Sequence, residues 1–272
     1  MPQYVQIWQN GKLKADETID EEKRSFEVPM FDGERYEVHV YDFETGQLLK
    51  KETLKPSGPM LTVKLGQKHR EPDPLVDNKQ IVQHIEQLIA SRTGFDPSYQ
   101  RRIDVLSRMK KDWSYNRQQL RGGRLEYLVY RLLRNLRDKK VIDDFVWNSK
   151  VDKYGIAYPA PGNKSDFLVS LDNIQIVLEV TTIPNTRAQW SEEGASVPHH
   201  IREFKSELRT TIGIFSAPKL HDQLVRNLHA LSQDEGVPIL CYPLDRLLTL
   251  FVGSTSTSLK STIDKDVKEL MG

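Results

Sequence analysis

Asp166 and Glu179 lie thirteen residues apart, on either side of two apolar runs joined at Asp172-Asn173. That dipeptide predicts a two-residue hairpin loop. In the register it sets, Leu171 pairs with Ile174, and Asp166 falls opposite Glu179 with Cβ atoms about 4.5 to 5.5 Å apart. Strand alternation puts Asp166, Leu168, Ser170, Gln175, Val177, Glu179 and Thr181 on one face. Phe167, Val169, Leu171, Ile174, Ile176, Leu178 and Val180 form a wholly apolar second face. Like charges placed opposite each other destabilise a sheet. The pair therefore calls for a cation, for an arginine partner, or for solvent at an exposed hairpin end. Two carboxylates at this spacing suit Mg²⁺, a hard ion that takes oxygen donors and keeps several waters. A divalent ion so held supports phosphodiester hydrolysis.

A third carboxylate stands upstream, in GRLEYLVYRLLRNL. The apolar stripe there is Leu125, Leu128, Val129, Leu132, Leu133 and Leu136. At 100° per residue, Glu126 lies about 20° from Leu133, on the margin of the stripe. A glutamate near a helix start can simply complement the helix dipole. Beside the Asp166–Glu179 pair it also qualifies as a metal ligand.

The elements that must position these groups follow from pattern. Residues 1–68 read as strands (YVQIW, SFEVPMF, RYEVHVYDF, LLKKETL, MLTVKL) between turns at Asn10-Gly11, Asp32-Gly33 and Thr45-Gly46, hence an antiparallel β module. Packing or partner binding is the expected role of this module. A polar, Pro-containing linker covers 66–76. Helices follow at about 77–92 and 96–119, the latter opened by Asp96-Pro97 and closed by Gly122-Gly123. From 120 onward the order is helix (123–139), strand (143–148), the hairpin, a polar loop, helix (197–210), strand TIGIFSA, helix (218–233), strand VPILCY and helices near 244–252 and 259–271. The expected fold class is thus mixed α+β and α/β. It comprises a β-rich module (1–68), a helical linker region (69–119) and an α/β domain with a mixed sheet (120–272).

Composition sets the outer bounds. With 272 residues the chain has room for one or two domains. A single cysteine, Cys241, excludes a disulfide framework and a Cys-rich zinc site. No run approaches the roughly 18 to 20 apolar residues of a membrane helix, and MPQYVQIWQN lacks a signal pattern. The expected location is cytoplasmic, with no membrane partner. The formal charge of +1 hides a strong partition. Residues 101–140 hold 13 basic and 4 acidic side chains, against 8 and 12 in 1–60 and 13 and 17 in 141–272. The basic block includes Arg121, Arg124, Arg131, Arg134 and Arg137. It suits either a polyanion contact or a solvated helix face.

Asp166, followed by Glu179-Val180-Thr181, with a helical Glu126 upstream, resembles the PD-(D/E)XK nuclease superfamily. The finer similarity is to the AlwI-type restriction endonucleases, which share Glu-Val-Thr where the superfamily has Glu-x-Lys. A downstream block of Arg187, Gln189, Glu192, Glu193-Gly194, Val197 and His200-Ile201 extends the resemblance over roughly 120–215. The resemblance implies a restriction-endonuclease-like domain and a Mg²⁺-dependent DNA endonuclease of restriction or defence type, with Mn²⁺ as a substitute. It implies Asp166, Glu179 and Glu126 as metal ligands, and Glu193 or Glu192 as a further acidic member of the catalytic set. Arg121, Arg124, Arg131, Arg187, Gln189, His200 and Lys205 become candidate DNA contacts. Thr181 takes the place of the lysine and carries no charge, so a glutamate, His200 or Lys205 would assist the attacking water. Ser165 replaces the proline of the motif. With no separate recognition region in view, the expected partners are DNA and either a second copy or a recognition subunit. A catalytically degenerate DNA-binding or assembly subunit is the alternative.

Overall fold

The structure, a computed structural model, describes residues 3–19, 25–29, 34–42, 48–55, 60–64, 77–90, 95, 99–100, 103–104, 106–107, 116–152, 156–184, 186–206 and 208–272. The expected linker at 66–76, the Asp32-Gly33 and Thr45-Gly46 turns, and Arg101, Arg102, Arg108, Lys110 and Lys111 of the basic block lie outside these residues. The chain forms two compact units. One comprises Met1–Val76, Gly94–Ser114 and Val151–Ile156; the other comprises Asp77–Thr93, Tyr115–Lys150 and Ala157–Gly272. The stretch read from sequence as a helical linker is therefore divided between them.

The first unit is built on antiparallel strands. β1 (Gln3–Gln9), β2 (Lys12–Ile19), β4 (Tyr36–Asp42) and β5 (Leu48–Leu54) form a sheet in the order β2-β1-β4-β5, and β3 (Ser25–Pro29) pairs with β6 (Met60–Lys64). Asn10 and Gly11 both take positive φ, 49° and 72°, as an Asn-Gly hairpin turn requires. Val5, Ile7, Tyr36, Val38, Val40, Leu61 and Val63 make its core. Strand β2 was not expected. Its Lys12, Lys14, Asp16 and Glu17 mask the strand pattern, and the turn and pairing with β1 impose it.

The second unit opens with α1 (Asn78–Ala90) and α2 (Arg117–Asp138). Strands β7 (Asp144–Trp147), β8 (Lys150–Val151, its second residue belonging to the first unit) and β9 (Ala157–Tyr158) follow, and then the hairpin β10 (Phe167–Leu171) and β11 (Ile174–Val180). Next come α3 (Arg187–Glu203), β12 (Thr210–Ala217), α4 (Asp222–Glu235), β13 (Ile239–Pro243), α5 (Leu244–Gly253) and α6 (Ser256–Met271). The five-stranded sheet has the order β13-β12-β11-β10-β7. β7, β10 and β11 run antiparallel to their neighbours in that series, whereas β11, β12 and β13 are parallel. The fold is mixed, as the sequence led one to expect. Val197 and Ile201 of α3 and Leu224 and Leu228 of α4 pack on Val177, Phe215, Ala217 and Ile239 of the sheet. α2 and α5 contact β11 and β12, respectively, and α1 packs on α2. Among the described residues, no helix is long and apolar enough to cross a membrane.

Two local expectations are corrected. Gly122-Gly123 does not end a helix. Asn116 caps α2, its Oδ1 accepting from the N–H groups of Gln118 (3.0 Å) and Gln119 (3.3 Å), and the helix runs through both glycines. The reason is packing: a Cβ at position 123 would stand 2.3 Å from Ala157 O and 2.6 Å from Tyr158 C. Glycine lets the helix and β9 touch backbone to backbone. The polar loop expected after β11 is instead the first part of α3. Its helical pattern is hidden because only Gln189, Val197, Pro198, His200 and Ile201 are buried, and because Pro198 interrupts it.

Candidate active site

The hairpin holds the register set by its turn. Five pairs from Phe167↔Leu178 to Leu171↔Ile174 are observed, and Asp172 takes the left-handed φ of 54° that the tight loop needs. Asp166 lies one position beyond the last ladder pair. Its carbonyl accepts from Asn148 N–H at 3.1 Å, and its Oδ2 accepts from Val180 N–H at 2.8 Å. Asp166 is partly buried and Glu179 fully so. The two carboxylates are thus brought together at the polar end of the hairpin, with Asp166 anchored to the backbone beside Glu179.

Glu126 joins them from α2. It is only 2% exposed. Ala160 N–H donates to both its carboxylate oxygens, at 3.2 and 3.0 Å, and the Trp147 indole N–H lies beside it. The contact of Gly123 with β9 seats this loop over the first turns of α2. Glu193 joins from α3. Its Oε2 accepts from Ser196 Oγ at 3.3 Å, and Thr181, in the place of the missing lysine, lies beside its carboxylate. Glu192 is exposed. The structure thereby separates the two glutamates that the sequence left open, and Glu193 is the one turned toward Asp166 and Glu179.

These four acids strain against one another. Burial pushes Glu126 up to about 10, with Asp166 adding to the shift, while Ala160 N–H and Trp147 oppose it. Burial, and then the Glu179 charge, hold Asp166 well above the usual carboxylate range, against the Val180 N–H. Glu179 is raised well above its usual value by burial, then by Glu193 and Glu126. Glu193 is raised by burial, with Thr181 and Ser196 pulling it back. Buried like charges of this kind favour the protonated forms unless a cation compensates them.

His200 is buried against the same group. Its Nδ1 lies 2.9 Å from Glu179 Oε1 and its Nε2 3.1 Å from Gly162 O. A carbonyl only accepts, so Nε2 carries a hydrogen. The Nδ1–Glu179 contact then holds one further proton, on one partner or the other. His200 is consequently not placed to meet DNA phosphates, which corrects the expectation for it. Gln189 is corrected likewise. It is fully buried, its Nε2 donates to Ile183 O (2.8 Å) and Lys219 O (2.9 Å), and its Oε1 accepts from His221 N–H (2.7 Å). That side chain is consumed in joining the start of α3 to the loop before α4.

The basic candidates divide in the same way. Arg121 is buried and donates to Leu88 O at 2.6 Å, at the end of α1. Arg124 is also buried, its guanidinium 5.4 Å from the Tyr127 ring centre. Neither presents its charge to solvent. Arg131, half-buried, donates to Tyr127 Oη at 3.2 Å. Arg187 and Lys205 are exposed, as are Arg134 and Arg137. The sequence missed Trp147, whose indole lies beside Glu126, and Ala160 and Gly162, which act through a backbone N–H and a backbone carbonyl. Only the proximity of β7 and the 159–165 loop reveals them.

Among the described residues, no three His, Cys, Asp or Glu side chains converge into a ready-made metal cage. Mg²⁺ does not need one, because it is held by one or two carboxylates together with waters and substrate phosphate. Four oxygen-donor acids with raised proton affinity are a donor set that fits a hard divalent ion.

A mixed sheet whose antiparallel hairpin carries carboxylates toward acids from two flanking helices defines a restriction-endonuclease-like domain. The chain belongs to the AlwI restriction endonuclease family, whose model matches residues 79–230, more than half of its length. No curated protein sequence matches the chain. Among solved structures it is similar to the small subunit (R.BspD6I2) of the heterodimeric restriction endonuclease R.BspD6I, at 21% identity and a TM-score of 0.48. That alignment covers 64% of this chain and 91% of the other.

Proposed function

We propose that this chain is a Mg²⁺-dependent DNA endonuclease of restriction or defence type, with Mn²⁺ as a substitute cofactor. One observation carries the reading: Asp166, Glu179, Glu126 and Glu193, from four separate segments, meet in one buried cluster in which neighbouring acids raise Glu126, Asp166 and Glu179. Asp166 and Glu179 would hold the ion, with Glu126 completing the site from α2. When bound, the ion supplies Lewis acidity toward a phosphate oxygen and toward water. Val180 N–H and Ala160 N–H fix the orientation of Asp166 and Glu126. Glu193, which lies beside Thr181, would take a proton from water. Arg131, Arg134, Arg187 and Lys205 are the candidates for phosphate contact. Cutting both strands needs a second site, from another copy or from a partner that also supplies target recognition.

One observation favours the alternative of a degenerate DNA-binding subunit: Thr181 cannot supply the lysine's charge. A plasmid assay separates the two readings. Supercoiled plasmid incubated with the full chain is expected to yield nicked or linear product with Mg²⁺ and none with Ca²⁺. DNA retention without product in either ion would contradict the nuclease reading and favour the alternative.

A further inference from the structure

The geometry points to His200 as a positioning residue that fixes the Glu179 carboxylate for the divalent ion, an inference that rests on the nuclease reading above. His200 is 5% exposed and Glu179 6%. The imidazole spans three elements: it sits on α3, meets Glu179 of β11 through Nδ1, and donates through Nε2 to Gly162 O of the 159–165 loop. That loop also carries the Ala160 N–H that binds Glu126, and Asp166 follows it directly. A carboxylate at a strand end has two free torsions beyond its Cβ. Here one of its oxygens is held by a ring that cannot turn without breaking its second bond. Partners of this kind typically tune a metal ligand by about 10- to 100-fold in affinity or activity.

The two ring nitrogens have different neighbours, so two conservative replacements separate two roles. In His200→Asn the side-chain amide nitrogen takes the Nδ1 place and keeps the bond to Glu179. In His200→Gln it takes the Nε2 place and keeps the bond to Gly162. The test is Mn²⁺ binding to the full chain by electron paramagnetic resonance, with kcat and KM for plasmid cleavage and a melting curve for each variant. His200→Gln and His200→Ala are expected to weaken Mn²⁺ binding about 10- to 100-fold and lower kcat, while His200→Asn stays within about threefold of the parent. If Gln retains affinity and Asn loses it, the residue serves the loop and the proposal is overturned. Lower melting with unchanged Mn²⁺ affinity in all three variants overturns it as well. Glu179→Ala is the control. If the parent binds Mn²⁺ and Glu179→Ala does not, the nuclease reading stands whatever the His200 variants do. If the parent itself binds no Mn²⁺, that reading fails first and this inference falls with it.

Discussion

Asp166→Asn and Glu179→Gln are each expected to lower Mg²⁺-dependent plasmid cleavage by on the order of 10³-fold, equivalent to about 4 kcal/mol of lost transition-state stabilisation. Both are isosteric. Asn at 166 still accepts from Val180 N–H, the bond that anchors the native side chain. The fold is therefore spared, and the metal-free variants are expected to melt higher than the parent at pH 8. Each removes a charge that burial and its neighbours disfavour. Activity and stability moving in opposite directions distinguish a functional carboxylate from a structural one, whose loss would lower both. Initial cleavage rates and melting curves on the same preparations check this. Full activity in either variant would remove Asp166 and Glu179 from the chemistry.

The second large effect is on stability against pH, and its sign is the reverse of the usual carboxylate case. Glu126 has its proton affinity raised on folding, to about 10 from the ordinary 4.5. Above pH 4.5 the folded chain therefore keeps a proton that the unfolded chain has released. The stabilisation is fully present below that pH and is lost as pH climbs toward the folded value. Each carboxyl in this state costs about 1.4 kcal/mol of unfolding free energy per pH unit. The window from pH 7 to 8 isolates the effect. The lowered groups Glu37 and Glu235 act on the acid side, His229 below its ordinary 6.5, and Cys241 and Tyr242 above their ordinary 9.0 and 10.0. Urea unfolding of the metal-free chain is expected to show stability falling across that window, a shallower fall in Glu126→Gln, and a nearly flat profile in saturating Mg²⁺. A flat profile without metal would mean that the acids are solvated or otherwise paired.

The sequence carried the hairpin because three constraints agree there. Asp172-Asn173 demands a tight loop, the apolar run on each side has a period of two, and one residue of slip would bury Asp166 and Glu179 on the apolar face. Glu126 was legible because its angle to the leucine stripe is a matter of helix geometry alone. The partners of these groups were not legible. Ala160 N–H and Gly162 O are backbone atoms, and no side-chain type records where a backbone group will point. Gln189 and His200 look like DNA contacts in a polar segment, because a buried amide or imidazole is distinguished from an exposed one only by what packs on it. Gly122-Gly123 carries the sign of a helix end, yet it serves a contact with β9 that lies more than thirty residues away in the chain. The start of α3 was hidden for a similar reason: few apolar residues announce a helix whose buried face is partly polar.

The central claim is that the acids at 126, 166, 179 and 193 form a divalent-cation centre whose protons leave when the ion arrives. Calorimetric titration of the full chain with Mn²⁺ at pH 8, repeated in two buffers of different ionisation enthalpy, measures this directly, because a ligand carboxyl must give up its proton to bind metal. Saturable binding is expected, with at least about one proton released per ion, and loss of both in Asp166→Asn. Binding without proton release, or binding unchanged by that substitution, would contradict it.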